Sequence, residues 1–210
     1  MDSTDAADLI AEINEERAEH EADDKFRNKA ALLIAALAAI LAIGGLGGGN
    51  ATDDMVASNI QASDTWAFYQ AKNQRQTMYE LEVDRLKAVL ATGAPSPAER
   101  ASIEQRIADY EATIARYDSE PDPEAPNDPL KGEGKKELMA RAQAHEAAVE
   151  TANARDFSFD LAEVLLQLSL VLGSVAILAV RRWILALSGA LGALGALLVI
   201  NGFFLLIPLG

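Results

Sequence analysis

The sequence predicts an all-α integral membrane protein with three transmembrane helices and an extramembrane helical hairpin, a short coiled coil. Three observations predict it. Ala30–Gly49, Leu161–Val180 and Trp183–Leu209 are apolar runs, each long enough to cross a hydrocarbon core of about 30 Å at about 1.5 Å per residue. Arg181-Arg182 alone separates the last two runs, so these read as a transmembrane helical hairpin. The polar stretch between the first two runs repeats apolar residues at helical spacing. The resulting plan is a tail at 1–28, spans at 29–49, 159–180 and 183–209, a turn at 181–182, and an extramembrane segment at 50–158.

Composition narrows the function. The chain holds 32 acidic and 18 basic side chains, a formal charge of −14. Residues 1–28 contribute 10 acidic and 3 basic, and residues 50–158 contribute 20 and 12. No basic patch is available to displace phosphate counterions, so nucleic acid is excluded as a partner. Attraction to anionic lipid is not expected either. There is no cysteine, which removes disulfides, thiolate metal sites and a cysteine nucleophile. The two histidines, His20 and His145, fall on opposite sides of the predicted membrane, so no catalytic group can be assembled around imidazole. No enzyme activity, cofactor or metal is expected.

In the tail, Leu9, Ile10 and Ile13 are the side chains available for burial, and a frayed, solvated acidic helix is expected. Lys25, Arg27 and Lys29 precede the first span, and no further basic residue follows until Lys72. The positive-inside rule then puts the N-terminus in the cytoplasm. The long acidic lead argues for a retained anchor over a cleaved signal peptide. The span closes on a glycine run containing Gly44-x-x-x-Gly48 and Gly45-x-x-x-Gly49. With no preceding strand it is no phosphate cradle. Close helix approach or a flexible membrane exit explains it.

From Thr52 to about Leu90 the chain reads as helix, with the aromatics Trp66, Phe68 and Tyr69, which either pack or form a docking surface. Gly93 is placed to end it as a left-handed cap. Ser96, Pro97 and Glu99 form a capping box that starts the next helix. There Ile103, Ile107, Tyr110, Ile114 and Tyr117 are spaced four, three, four, three, a seam two heptads long that must pair, most simply with 70–92. Between residues 119 and 134, Pro121, Pro123, Pro126 and Pro129 alternate with acidic residues and forbid helix or sheet interior. The segment reads as an extended, mobile linker. Beyond it Leu138, Ala142, His145, Val149 and Ala152 repeat the seam spacing.

Polar residues also enter the last two spans. Glu163 lies 18 residues before Arg181 and Asn201 lies 19 after Arg182, so in an antiparallel hairpin both stand about 27 Å from the turn. They are expected to be neighbours, with Gln167 one turn from Glu163 and Ser174 further along. Such a cluster either hydrogen-bonds helix to helix or lines an ion or proton path. Gly189, Gly192 and Gly195 permit close approach to other spans or to a second copy, so a homo-oligomer or a membrane-protein partner is expected. Trp183 beside the arginines fits an interfacial anchor. Arg181 and Arg182 face the cytoplasm in this plan, and residues 50–158 lie outside.

The order of these features, with Ala62-Ser63-Asp64-Thr65-Trp66-Ala67-Phe68-Tyr69-Gln70-Ala71-Lys72, resembles the bacterial membrane proteins catalogued as Domain of Unknown Function 4337. The resemblance implies a bacterial three-span protein with a helical insert, and it supplies no activity; the expected location is the bacterial inner membrane. The sequence thus points to a structural or interaction component, with a transport or conductance subunit as the competing class.

Overall fold

A computed structural model of the chain describes the backbone of residues 3–209, and all side chains of these except 3–12 and 15. Leu9 and Ile10 lie outside the described side chains. Four α-helices follow in order: α1 Ser3–Thr92, α2 Pro97–Asp118, α3 Lys135–Ala179 and α4 Arg182–Phe204. The fold is all-α, with no strand among the described residues. It divides into two compact units, one made by the chain through Asp53 and from Ala152 onward, the other by Asp54–Thr151.

In the Asp54–Thr151 unit, one face of α1 is turned inward. It carries Met55, Ala62, Tyr69, Gln76, Val83 and Leu90, seven residues apart, interleaved with Ser58, Thr65, Lys72, Tyr79 and Leu86 at the same interval. This is the spacing a helix seam requires. The later part of that face receives α2 antiparallel. Val83 and Leu86 bury with Ile107, flanked by Leu90, Ile103, Tyr110 and Ile114. The Tyr79 ring lies 5.3 Å from Tyr110 and 6.0 Å from Tyr117, and Lys87 donates to Glu111 at 2.8 Å. The earlier part receives α3, where Trp66 Nε1 donates to Glu146 at 2.8 Å and Lys135 donates to Asn73 at 3.1 Å. Helices α2 and α3 therefore share one face of α1 end to end.

The capping box forms. Glu99 accepts from the Ser96 backbone at 2.8 Å and from its hydroxyl at 2.7 Å, and the Glu99 amide returns a bond to Ser96 Oγ at 3.4 Å. These bonds, the hydroxyl first, hold the Glu99 carboxyl below its ordinary pKa. Gly93 follows the end of α1, but not in the left-handed region expected of it. Its smallness matters instead, because a Cβ there would lie 2.7 Å from the Val89 carbonyl oxygen.

Residues 119–134 correct a second expectation. The segment is not an extended spacer; it is a folded loop closed on itself. Glu133 N–H donates to the Glu120 carbonyl at 2.9 Å, and short turns run from Asp122 to Ala125, Ala125 to Asp128 and Asp128 to Lys131. The Asp122 and Asp128 carboxylates accept from the amides of Glu124 and Leu130. Proline forbids helix and sheet, but it leaves such side-chain-satisfied turns open. Gly132 takes φ +104°, where L side chains are strained.

Three charged side chains seat this loop. Lys72, 8% exposed, pairs with Glu120 at 3.3 Å, donates to the Glu133 carbonyl, and lies 5.1 Å from the Tyr117 ring and 5.7 Å from the Phe68 ring. Arg141 donates to the Leu130 and Gly132 carbonyls at 2.9 and 2.6 Å. Buried Glu137 accepts from the Ser119 hydroxyl at 2.7 Å and the Glu120 amide at 3.1 Å. Burial works to raise the Glu137 pKa, but these donors outweigh it and hold the carboxyl below its ordinary value.

In the other unit three helical stretches pack up, down and up. Residue pairs 34/173 and 47/159 make α1 antiparallel to α3, pairs 37/192 and 44/199 make it parallel to α4, and pairs 166/195 and 169/188 make α3 antiparallel to α4. The core joins Leu37, Ala51, Phe159, Ala162, Leu166 and Val199. The glycine run at 44–49 continues α1 without a break. The α3–α4 turn is Val180-Arg181, with Val180 at φ +50° and Arg181 N–H donating to the Ala176 carbonyl at 3.3 Å. Helix α4 stops at Phe204, short of the Leu209 expected, because Leu205 turns left-handed at φ 46° and Pro208 cannot donate to a further turn.

Replacing Lys72 by Met keeps the volume and removes the charge. It is expected to destabilise the Asp54–Thr151 unit by about 2 kcal/mol, discounted for the half-exposed Glu120. Limited proteolysis of Lys72→Met should cut within residues 119–134, whereas Lys131→Met should resist like the parent. Equal resistance of both variants would remove Lys72 as the seat of the loop.

Candidate functional site

The chemistry-bearing side chains singled out in the sequence concentrate in the three-helix unit. On α3 the inward stripe is Ser158, Ala162, Leu166, Ser169, Gly173 and Ala176; on α4 it is Ser188, Gly192, Gly195, Val199 and Gly202. Both follow three-four spacing, so small residues stack along each contact line.

The glycines divide by face. A Cβ at Gly44 would stand 3.0 Å from Val199, at Gly48 3.3 Å from Phe159, at Gly192 2.6 Å from Leu37, and at Gly195 2.7 Å from Leu166 and 3.2 Å from the Ala162 carbonyl. Gly189 leaves ordinary space, 3.8 Å from Leu33, while Gly45 and Gly49 meet nothing within 4 Å. Those two were expected to pack, and within this chain they do not. The x-x-x spacing puts Gly45 one residue, about 100°, around the helix from Gly44. Sequence reasoning passed over Gly47 and Gly173, where a Cβ would come 2.5 Å from Phe159 and 2.8 Å from Ile34.

Polar contacts join the same helices. Ser169 Oγ donates to the Ser188 carbonyl at 2.6 Å, and Ser188 Oγ returns a bond to the Ser169 carbonyl at 2.8 Å. The buried Asn201 amide donates to Ser158 Oγ at 3.1 Å and to the Ile207 carbonyl at 2.9 Å, while its oxygen accepts the Ile207 amide at 2.8 Å. Asn201 thereby ties α4 to α3 and clamps the chain after α4.

Glu163 and Gln167 do not join Asn201. Gln167 donates to Glu163 at 2.8 Å, and the pair lies on the outer side of α3. The expected three-residue cluster is thus replaced by an inner Asn201–Ser158 contact and an outer Glu163–Gln167 pair. Counting from the turn gives depth but not azimuth. Ser158 and Glu163 are five residues apart, about 140° around a helix of 3.6 residues per turn.

Along the three apolar stretches the remaining outer surface is apolar, whereas α1 before Lys25 exposes Glu16, Glu19, Glu21 and Asp24. Leu32, Ile43, Leu46, Val171, Leu178, Leu197 and Phe204 are each more than half exposed, Leu178 at 84%. The basic residues flank it. Lys25, Lys29 and Arg182 line one groove, while Arg27, Arg181 and Trp183 are exposed. In the other unit, Trp66 and Tyr69 meet edge to face at 5.5 Å, and Phe68, 43% exposed, covers Lys72. No group of three or more His, Cys, Asp or Glu side chains suited to a metal occurs among the described residues.

Residues 26–205 match the family described as Domain of unknown function (DUF4337). The chain belongs to that family. The match takes in both units, including the Trp66–Lys72 stretch, α2 and the folded loop. Comparison with curated proteins and with solved structures found no match.

The two glycine faces predict opposite outcomes. Gly195→Val forces a branched side chain against Leu166 and the Ala162 carbonyl and should lower thermal stability in mild detergent, costing about 1–3 kcal/mol. Gly45→Ala adds a methyl to open space and should leave stability equal or raise it by up to about 1 kcal/mol through helix propensity. Destabilisation by both would mean that Gly45 packs against something outside this chain.

Proposed function

We propose that this chain is a non-enzymatic structural or interaction component of a bacterial inner membrane, which crosses the bilayer three times and self-associates. The observation that carries the reading is the apolar outer surface of the three-helix unit. In water, each exposed Leu or Val would forgo about 1.5–3 kcal/mol of burial; in hydrocarbon that penalty vanishes, and the helices satisfy their own backbone groups. The extent of the helices supports it too, since α1, α3 and α4 are each long and apolar enough to cross a membrane. Lys25, Lys29 and Arg182 around one groove put both basic flanks at one end of the unit, which agrees with a cytoplasmic N-terminus. Residues 50–158 then lie on the outer side.

A single cysteine at Asn127, in a chain that has none, tests the sidedness. Asn127→Cys should label in intact cells with an impermeant thiol reagent. Labelling only after lysis would invert the topology and put the folded loop in the cytoplasm.

Self-association draws support from the Glu163–Gln167 pair on the outer face of α3. Ionisable groups at a lipid-facing position are costly unless paired or hydrated, and the same face of a second copy would supply partners. A transport path is the second reading, and the enclosed hydrogen bonds of Asn201 weigh against it. Glu163→Ala should reduce cross-linked oligomer in membranes, with the protein still inserted and ion flux in proteoliposomes unchanged. Altered flux with oligomers intact would favour the transport reading.

A further inference from the structure

The two basic flanks of the apolar unit meet around an open groove of about 590 Å³, formed by Lys25, Phe26 and Lys29 of α1, Arg182 and Leu185 of α4, and two alanines. That volume is within the range of about 300–1,000 Å³ typical of small-molecule sites. The lining holds three cations and no carboxylate. Lys25 shares its charge with exposed Glu21 at 3.1 Å, whereas Lys29 and Arg182 make no ion pair among the described residues. Beneath the cations the walls are apolar, and Phe26 is buried at 9% exposure. The first turn of α4 opens alongside without a side-chain cap at Arg181, so its positive end adds to the same field.

An isolated anion would use the rim and leave the apolar floor wet. A solvated peptide would not need the groove at the base of an apolar belt. The combination of cationic rim and apolar floor matches a molecule that is anionic at one end and hydrocarbon at the other. We propose that this groove binds one anionic phospholipid, its phosphate between Lys29 and Arg182 with Lys25 at the rim, and the start of an acyl chain over Phe26 and Leu185. The assignment rests on the three-span reading above. It also revises the inference from bulk charge: Glu21, Asp23 and Asp24 lie just before Lys25 on α1, but the groove wall itself carries Lys25, Lys29 and Arg182 without a carboxylate, and recognition depends on the field at that wall.

Trp183, 67% exposed and adjacent to Arg182, reports on this place. The full chain carrying Trp66→Phe, so that Trp183 is the only tryptophan, would be reconstituted in phosphatidylcholine vesicles and titrated with brominated phosphatidylglycerol or brominated phosphatidylcholine. Brominated phosphatidylglycerol is expected to quench Trp183 at the lower mole fraction. Lys29→Gln with Arg182→Gln should weaken that preference by about 25-fold, at about fivefold per basic residue. Lys29→Arg should retain it. Equal quenching by the two lipids, or an undiminished preference in the double variant, overturns the site. Loss of the preference in millimolar inorganic phosphate would make the groove a soluble-anion site and overturn the lipid assignment. Failure of the protein to float with vesicles, with no quenching by either lipid, would instead overturn the membrane reading on which the site rests.

Discussion

How closely the backbones of α1, α3 and α4 approach is the constraint on which the three-helix unit depends. In the proposed bilayer setting, burying leucine against leucine gains little, because lipid tails are equally apolar. Contact distance and interhelical hydrogen bonds must then carry association. Gly192 against Leu37 and Gly195 against Leu166 supply the first, and the reciprocal Ser169–Ser188 bonds supply the second. Because glycine removes side-chain bulk on one helix, a large side chain on the facing helix fills the space. Phe159 does this three times over, against Gly47, Gly48 and Gly202, and its ring also meets Phe203 at 5.0 Å.

The Asp54–Thr151 unit solves a different problem. One face of α1 must accept two helices in succession, and the chain has to reverse between them. The reversal falls at Lys72, where a buried ammonium gathers a carboxylate, a carbonyl and two aromatic rings. Desolvating that charge is costly, and the cost is offset only while the loop supplies its acceptors. The loop's own conformation rests in turn on Glu137 and Arg141, which satisfy the backbone groups that the prolines leave without helix or sheet partners. The cationic groove of the three-helix unit uses charge in the opposite way, with Lys29 and Arg182 left available for an anion from outside.

Much of this was legible in the sequence. Apolar length marked the helices, Ser96 and Glu99 marked the start of α2, and the spacing of Ile107 and its neighbours marked a seam. The matching seam on α1 was hidden because Lys72 and Gln76 sit at inward positions, and a search for apolar periodicity reads a charge there as solvent-facing. The loop at 119–134 was misread for a related reason. Acidic residues between prolines look like a solvated spacer until the fold brings Lys72 to Glu120 and sets Glu137 and Arg141 against the loop backbone.

Composition and periodicity by themselves determined that the chain is helical, where three apolar stretches lie, and where α2 begins, because these depend on neighbours within a turn or two. Azimuth and partnership were decided only by tertiary structure. Glu163 and Asn201 occur at matching depths with Gln167 one turn away, yet Asn201 faces Ser158 inside while Glu163 and Gln167 pair outside. Arg182 is more than 150 residues along the chain from Lys25 and Lys29, and only the packing of α4 beside α1 makes the three one groove. Depth along a helix is a count of residues; the direction a side chain faces is set by which helix packs against it.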